Sequence, residues 1–161
     1  MYVSGDTVDF QFGGDPKADP KRSEAVAGDF RLSIGNFLGQ PTAVLYRKVS
    51  AEKKPKTFTS GVIKQYLMEY VDVVHDAQIA VKIGPDRKGY VVEAAVPFSA
   101  LGFTPQPEVV YSGDVGTTHG SAAGDRTRLR TYWSNQETGL VDDAVFELQV
   151  APKNWGRFLF K

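Results

Sequence analysis

The chain has 161 residues, 19 Lys+Arg balanced by 19 Asp+Glu for zero formal net charge, and no cysteine. That length is one domain's worth, taken as 1–161, and it buries a core without staples. The missing cysteines exclude disulfides, thiolate metal sites and cysteine nucleophiles, and the balanced charge argues against a nucleic-acid partner.

No apolar run approaches the ~18 residues of a membrane span, so no membrane insertion is expected. The opening residues MYVSGD carry neither the charged nor the apolar region of a signal peptide. Short alternating runs recur along the chain, the pattern of antiparallel sheets with one buried face.

Residues 7–12 (TVDFQF) place Val8, Phe10 and Phe12 on one face and Thr7, Asp9 and Gln11 on a polar one. Residues 13–28 read as a long loop. Phe30, Leu32 and Ile34 then alternate with Arg31 and Ser33. Residues 43–49 (AVLYRKV) form the next strand, and 51–56 (AEKKPK) a charged turn. Residues 66–74 and 78–83 are two more strands. Residues 89–96 (GYVVEAAV) put Tyr90, Val92, Ala94 and Val96 on one face. A helical turn follows at 97–102, with proline at its start and glycine just past its end.

After a strand at 109–115, residues 117–125 (TTHGSAAGD) read as a small polar loop. The strand at 127–133 puts Arg126, Arg128, Arg130 and Tyr132 on one face, and Thr127, Leu129, Thr131 and Trp133 on the other. Strands at 145–150 and 157–160 flank a second helical turn at 151–156. The total, about ten short strands punctuated by turns, predicts an all-β, antiparallel β-sandwich or barrel.

Catalytic signatures are missing: there is no HExxH, GxSxG, phosphate loop or GxGxxG, so a non-catalytic protein is expected. Aromatic residues are more informative. Sugars lay flat C–H faces on aromatic rings, and their hydroxyls take polar partners. Trp133, beside Ser134, Asn135 and Gln136, fits such a platform and equally a sandwich-core tryptophan. Trp155, before Gly156, reads as a core plug.

Asp9 and Arg31 are placed to face each other across paired strands, either to hold vicinal hydroxyls or as an ordinary ion pair on a solvated face. Asp15, Asp19, Glu24 and Asp125 are loop oxygen donors of the calcium type or simply solubilising acids. A haem pair would have to join Met68 to His75 or His119. The arginine strip suits an acidic glycan or phosphate, or an exposed face offset by acids.

Residues 89–103 (GYVVEAAVPFSALGF) resemble the G-Y-x-x-E-a-x-I-P-f-s-x-L-g signature of family 9 carbohydrate-binding modules, CBM9-like and DOMON-related. Further pieces fall in order. GDTVDF at 5–10 is similar to the family's D-x-V-E-x-F strand, and Arg31 lies at its strand arginine. Trp133 with Ser134 and Asn135 resembles the late W-x-D/N element, and WGRF at 155–158 the closing strand. The resemblance implies a jelly-roll β-sandwich. Its sugar-binding members clamp a saccharide between two tryptophans and carry structural calcium.

Carried over, Trp133 is a stacking ring and Asp9 and Arg31 bind hydroxyls, with Asn135 a further hydrogen-bonding candidate. The position of the second stacking tryptophan is Val3, with Tyr2 beside it as a substitute ring. The strands that precede D-x-V-E in the family are missing. The chain is then a fragment, or a partner supplies that edge, or the edge is open and invites a β-paired dimer.

Relatives of the same sandwich bind haem in redox proteins. The resulting expectation is a carbohydrate-binding module of a larger, multidomain extracellular or periplasmic protein, requiring no cofactor beyond structural calcium. The alternatives are an interaction sandwich with a decayed sugar site and a haem-binding electron-transfer domain.

Overall fold

In a computed structural model of the chain, the described residues are 5–86, 89–135, 145 and 148–161. They are all-β, with antiparallel strand pairing throughout the sheets and a β-sandwich arrangement. The strands are β1 Thr7–Gly13, β2 Asp29–Phe37, β3 Gln40–Arg47, β4 Lys56–Phe58, β5 Tyr66–Met68, β6 Tyr70–Val73, β7 Gln78–Ile83, β8 Tyr90–Ala95, β9 Val110–Gly120, β10 Thr127–Tyr132 and β11 Gly156–Leu159. The main sheet has seven strands in the order β10-β9-β1-β2-β3-β6, with β11 also on β9. β4–β5 and β7–β8 are separate hairpins.

The register explains the two faces. Phe10 opposes Leu32 and Phe12 opposes Phe30, while Asp9 opposes Ser33 and Gln11 opposes Arg31. The phenylalanine face packs on Ile79, Val92 and Val96 of the β7–β8 region, and on Leu101 and Phe103. The 97–102 segment forms the expected turn, closed by Phe103 N–H donating to Phe98 O at 3.1 Å. Arg47 Nη2 ties it to the main sheet by donating to Leu101 O at 2.7 Å.

The opposite face, expected to be solvated, is covered instead. Tyr46, Met68, Leu148, Val150 and Trp155 form a second apolar cluster there, and Thr7, Asp9, Gln11, Arg31 and Ser33 are all buried. Trp155 is the core plug the sequence suggests.

Several elements differ from the sequence pattern. The 66–74 run splits at Glu69, whose carboxylate accepts from Ser50 N–H at 2.7 Å and ion-pairs with Lys53. β5 therefore pairs with β4, and β6 with β3. Alternation alone cannot see such a break. β9 runs on through Gly120, so residues 117–120 are strand rather than loop. β10 carries a register shift between Thr127 and Leu129, a bulge that breaks strict alternation. Thr127 thereby joins the buried side, and Arg128 is exposed. Val145 and Leu148 are helical rather than extended, while the 151–156 turn appears as a 3-10 helix, Pro152–Asn154.

The long loop at 13–28 is pinned. Arg22 donates to both Asp29 carboxylate oxygens, at 2.6 and 3.2 Å, and Val26 N–H adds a third bond at 2.9 Å. Burial nonetheless raises the Asp29 pKa above its usual value, against the opposing pull of Arg22 and that amide.

β2 and β3 are joined by Leu38 and Gly39, both at positive φ (51° and 84°), as a two-residue type I′ turn requires. Asn36 Oδ1 accepts from Gly39 N–H at 2.8 Å. Leu38 is 88% exposed, so its side chain contributes little packing to offset the left-handed strain. Leu38→Asn is expected to raise stability by about 0.5–1 kcal/mol. A thermal melt checks this, and an unchanged or lower Tm would refute it.

Candidate functional site

Asp9 and Arg31 do meet, but inside the protein. Arg31 Nη2 and Asp9 Oδ2 form an ion pair with both side chains almost wholly buried. Tyr132 Oη donates to the same oxygen at 2.9 Å, and Thr7 Oγ1 donates to Oδ1 at 3.2 Å. The Thr7 hydroxyl also bonds that of Thr118, at 2.7 Å. Burial opposes the Arg31 charge most strongly, but the Asp9 carboxylate, Tyr132 and Tyr46 together raise the guanidinium pKa. Burial also raises the Tyr132 phenol pKa, against the pull of Arg31. Gly116 admits the Tyr132 ring, because a Cβ there would lie 2.4 Å from it. The group is a closed polar staple across β1, β2 and β10.

Trp133 lies on the other face of the sheet. Its amide donates to Val115 O at 2.9 Å, which places it beside Val115, and Val115 opposes Phe10. The indole sits over Gly156, where a Cβ would fall 2.3 Å from the ring, and packs on Phe158 at 5.3 Å between centroids. The residue is still 55% exposed. A ligand stacked on Trp133 is therefore separated by the sheet from Asp9 and Arg31.

Asn135 is built into a knot. Its N–H donates to Asp114 Oδ2 at 2.9 Å, and its Oδ1 accepts from Asn154 Nδ2 at 3.2 Å. Asp114 Oδ1 also takes Ser134 N–H at 3.0 Å, and Ser134 Oγ takes Gly156 N–H at 2.8 Å. This knot fixes the β10–β11 junction and hence the seat of Trp133. Tyr2 and Val3 lie outside the described residues.

The remaining candidates do not converge. Met68 is fully buried beside Tyr46 and Trp155, on the face opposite His119, and His75 is exposed at a turn. Asp15 and Asp19 each accept a nearby loop amide, from Lys17 and Lys21, at 2.9 Å, and Asp125 bonds Ser121. Among the described residues, no three His, Asp or Glu side chains come together to hold a metal ion. No helix among them is long and apolar enough to cross a membrane.

What the sequence did not disclose is a cleft of about 660 Å³ between the β7–β8 hairpin and the start of the main sheet. Val8, Ile34, Val92 and Ala94 supply its apolar part, and Asp6, Tyr90, Thr117 and His119 its polar groups. His119 Nε2 and Thr117 Oγ1 are 3.1 Å apart, and Asp6 Oδ1 accepts from Gly120 N–H at 2.7 Å. An apolar floor with a few convergent polar groups is the usual form of a small-ligand site. The signal was present in the period-two run Val115, Thr117, His119, masked by its small polar neighbours.

A second groove of about 310 Å³ lies against β3, β4 and β6. Among the described residues its charged groups are Lys56 and Asp72, and Asp72 is engaged by Lys54.

Tyr90 Oη is buried without a hydrogen-bond partner among the described residues. Burial, then the charges of Asp6 and Asp9, raise its pKa. Tyr90→Phe is expected to raise stability by about 1 kcal/mol, since a buried, unsatisfied hydroxyl costs roughly 1–3 kcal/mol. Urea titration reads this as a higher midpoint. A lower midpoint would mean the hydroxyl has a structural partner.

Compared with known proteins, the chain matches no family model, no curated protein and no solved structure.

Proposed function

We propose that the protein is a non-catalytic carbohydrate-binding module whose ligand lies on the phenylalanine side of the main sheet. The observation that carries this reading is Trp133, a half-exposed indole seated on Gly156 and Phe158, on the same sheet face as the Thr117 and His119 side of the cleft. An exposed ring held rigidly from below loses little entropy when a sugar stacks on it. Thr117, His119 and Asp6 supply donors and acceptors for hydroxyls, and Tyr90 supplies a second aromatic wall.

In this reading Asp9 and Arg31 are structural, and Asn135 positions the tryptophan rather than touching the ligand. The resemblance of residues 89–103 supports the same class. Tyr90 and Val92 of that signature wall the cleft, while Leu101 and Phe103 pack in the core. The extracellular setting, the multidomain parent and a structural calcium belong to this proposal as well.

The test is calorimetric titration of a panel of mono- and oligosaccharides, with and without calcium. Saturable heat supports a lectin-like module, and a calcium requirement would assign the ion. Silence across the panel from a folded protein would reject the reading and leave an interaction sandwich.

A further inference from the structure

Resting on the saccharide reading, we infer that the site takes an uncharged oligosaccharide chain rather than a single sugar, with one ring on Trp133 and another at the Thr117–His119 cleft. The strand register sets the distance. Trp133 sits beside Val115, and His119 lies four residues further along β9, or about 13 Å at the usual strand rise. One sugar ring does not reach both ends.

The ground between them is continuous. Val115, Thr117 and His119 of β9 and Leu129 and Thr131 of β10 lie on one face, paired as Thr117 with Thr131 and His119 with Leu129. Leu129 is 55% and Val115 40% exposed. Phe10 and Val8 of β1 continue the same face beyond β9.

This strip alternates apolar side chains with hydroxyls, as a sugar chain alternates C–H faces with hydroxyl edges. Its charge fits the same partner. Among the described residues, no Asp, Glu, Lys or Arg of β9 or β10 occupies the face between Trp133 and His119. Asp6 lies at the cleft end, with one carboxylate oxygen taken by the Gly120 amide. A neutral strip gives no counter-charge to an acidic glycan, a nucleic-acid backbone or a charged peptide. The arginines do not alter this. Arg130 pairs opposite Thr118 and so belongs to the other face, and Arg128 lies at the bulge.

The experiment is titration of the intact chain with cello-, xylo- and manno-oligosaccharide series from one to four rings. Trp133→Ala and His119→Ala are titrated alongside, each first shown to be folded by circular dichroism. Affinity for the best series is expected to rise by at least about 30-fold between one ring and three, the weight of one hot-spot contact. Each variant is expected to remove that gain.

A monosaccharide that binds as tightly as its trisaccharide would overturn the inference while leaving the carbohydrate reading in place. So would a chain-length gain that survives both variants. Failure of every sugar of every length would overturn the reading itself. If Trp133→Ala does not fold, the wild-type chain-length series and His119→Ala still decide the question.

Discussion

Asp9→Ala lowers stability by about 3–5 kcal/mol, the usual cost of stripping one partner from a buried ion pair. The effect is large because every member of the staple depends on that carboxylate. Arg31 and Tyr132 both point hydrogens at Oδ2, and Thr7 points one at Oδ1. Without the carboxylate, a guanidinium in a nearly sealed site loses that ion pair, and β10 loses its side-chain tie to β1. A loss of that size is a large part of the 5–15 kcal/mol that holds a typical domain together.

Arg31→Met alone is expected to cost a comparable amount by leaving Asp9 buried and unpaired. The double change Asp9→Leu with Arg31→Met recovers most of the loss, because an apolar pair of similar volume carries no desolvation cost. Denaturant unfolding measures all three variants. An Asp9→Ala midpoint equivalent to less than about 1 kcal/mol of loss would mean that water reaches the pair. The double variant also separates structure from function, since its saccharide affinity should match the wild type if the site is on the opposite face.

Trp133→Ala has the opposite profile. Affinity for a bound oligosaccharide falls by at least about 30-fold, the scale of an aromatic hot spot, while the protein stays folded. The indole is more than half exposed, and the contact given up with Phe158 is worth about 0.5–1.5 kcal/mol. Titration calorimetry and a thermal melt on the same sample read both quantities. A variant that unfolds would make Trp133 a core residue. A folded variant with unchanged affinity would remove it from the site.

The pair of experiments distinguishes the two faces of one sheet. On the proposed reading, Asp9 holds the fold and lies on the sheet face away from the ligand, whereas Trp133 contributes little to the fold and much to binding.

Much of the fold was legible in the sequence because β-strands write their faces at period two. The alternation of Val8, Phe10 and Phe12, of Phe30, Leu32 and Ile34, and of Tyr90, Val92 and Ala94 located β1, β2 and β8 and named the face that packs. Proline and glycine marked the 97–102 turn by their restricted and permissive backbones. What period two cannot report is whether a polar face is wet. Asp9 and Arg31 read as solvated because their side chains are charged. The structure buries them because Tyr46, Met68 and Trp155, distant in sequence, close over that side of the sheet.

Period two also fails wherever a strand changes partner or gains a residue. Glu69 redirects the chain between two sheets, and the bulge before Leu129 turns Thr127 inward. Residues 117–120 were hidden for another reason: threonine, histidine and glycine carry little hydrophobic signal, yet pairing with β1 and β10 makes them strand.

The sequence by itself determined an all-β chain, its principal strands, an aromatic-rich core and Trp133 as a residue of interest. Only the tertiary structure decided that Trp133 and the Asp9–Arg31 pair lie on opposite faces of one sheet, and that a cleft lies between that sheet and β7–β8. The physical reason is that a strand's sequence sets which residues share a face, but which face meets solvent depends on elements that pack across it from far along the chain.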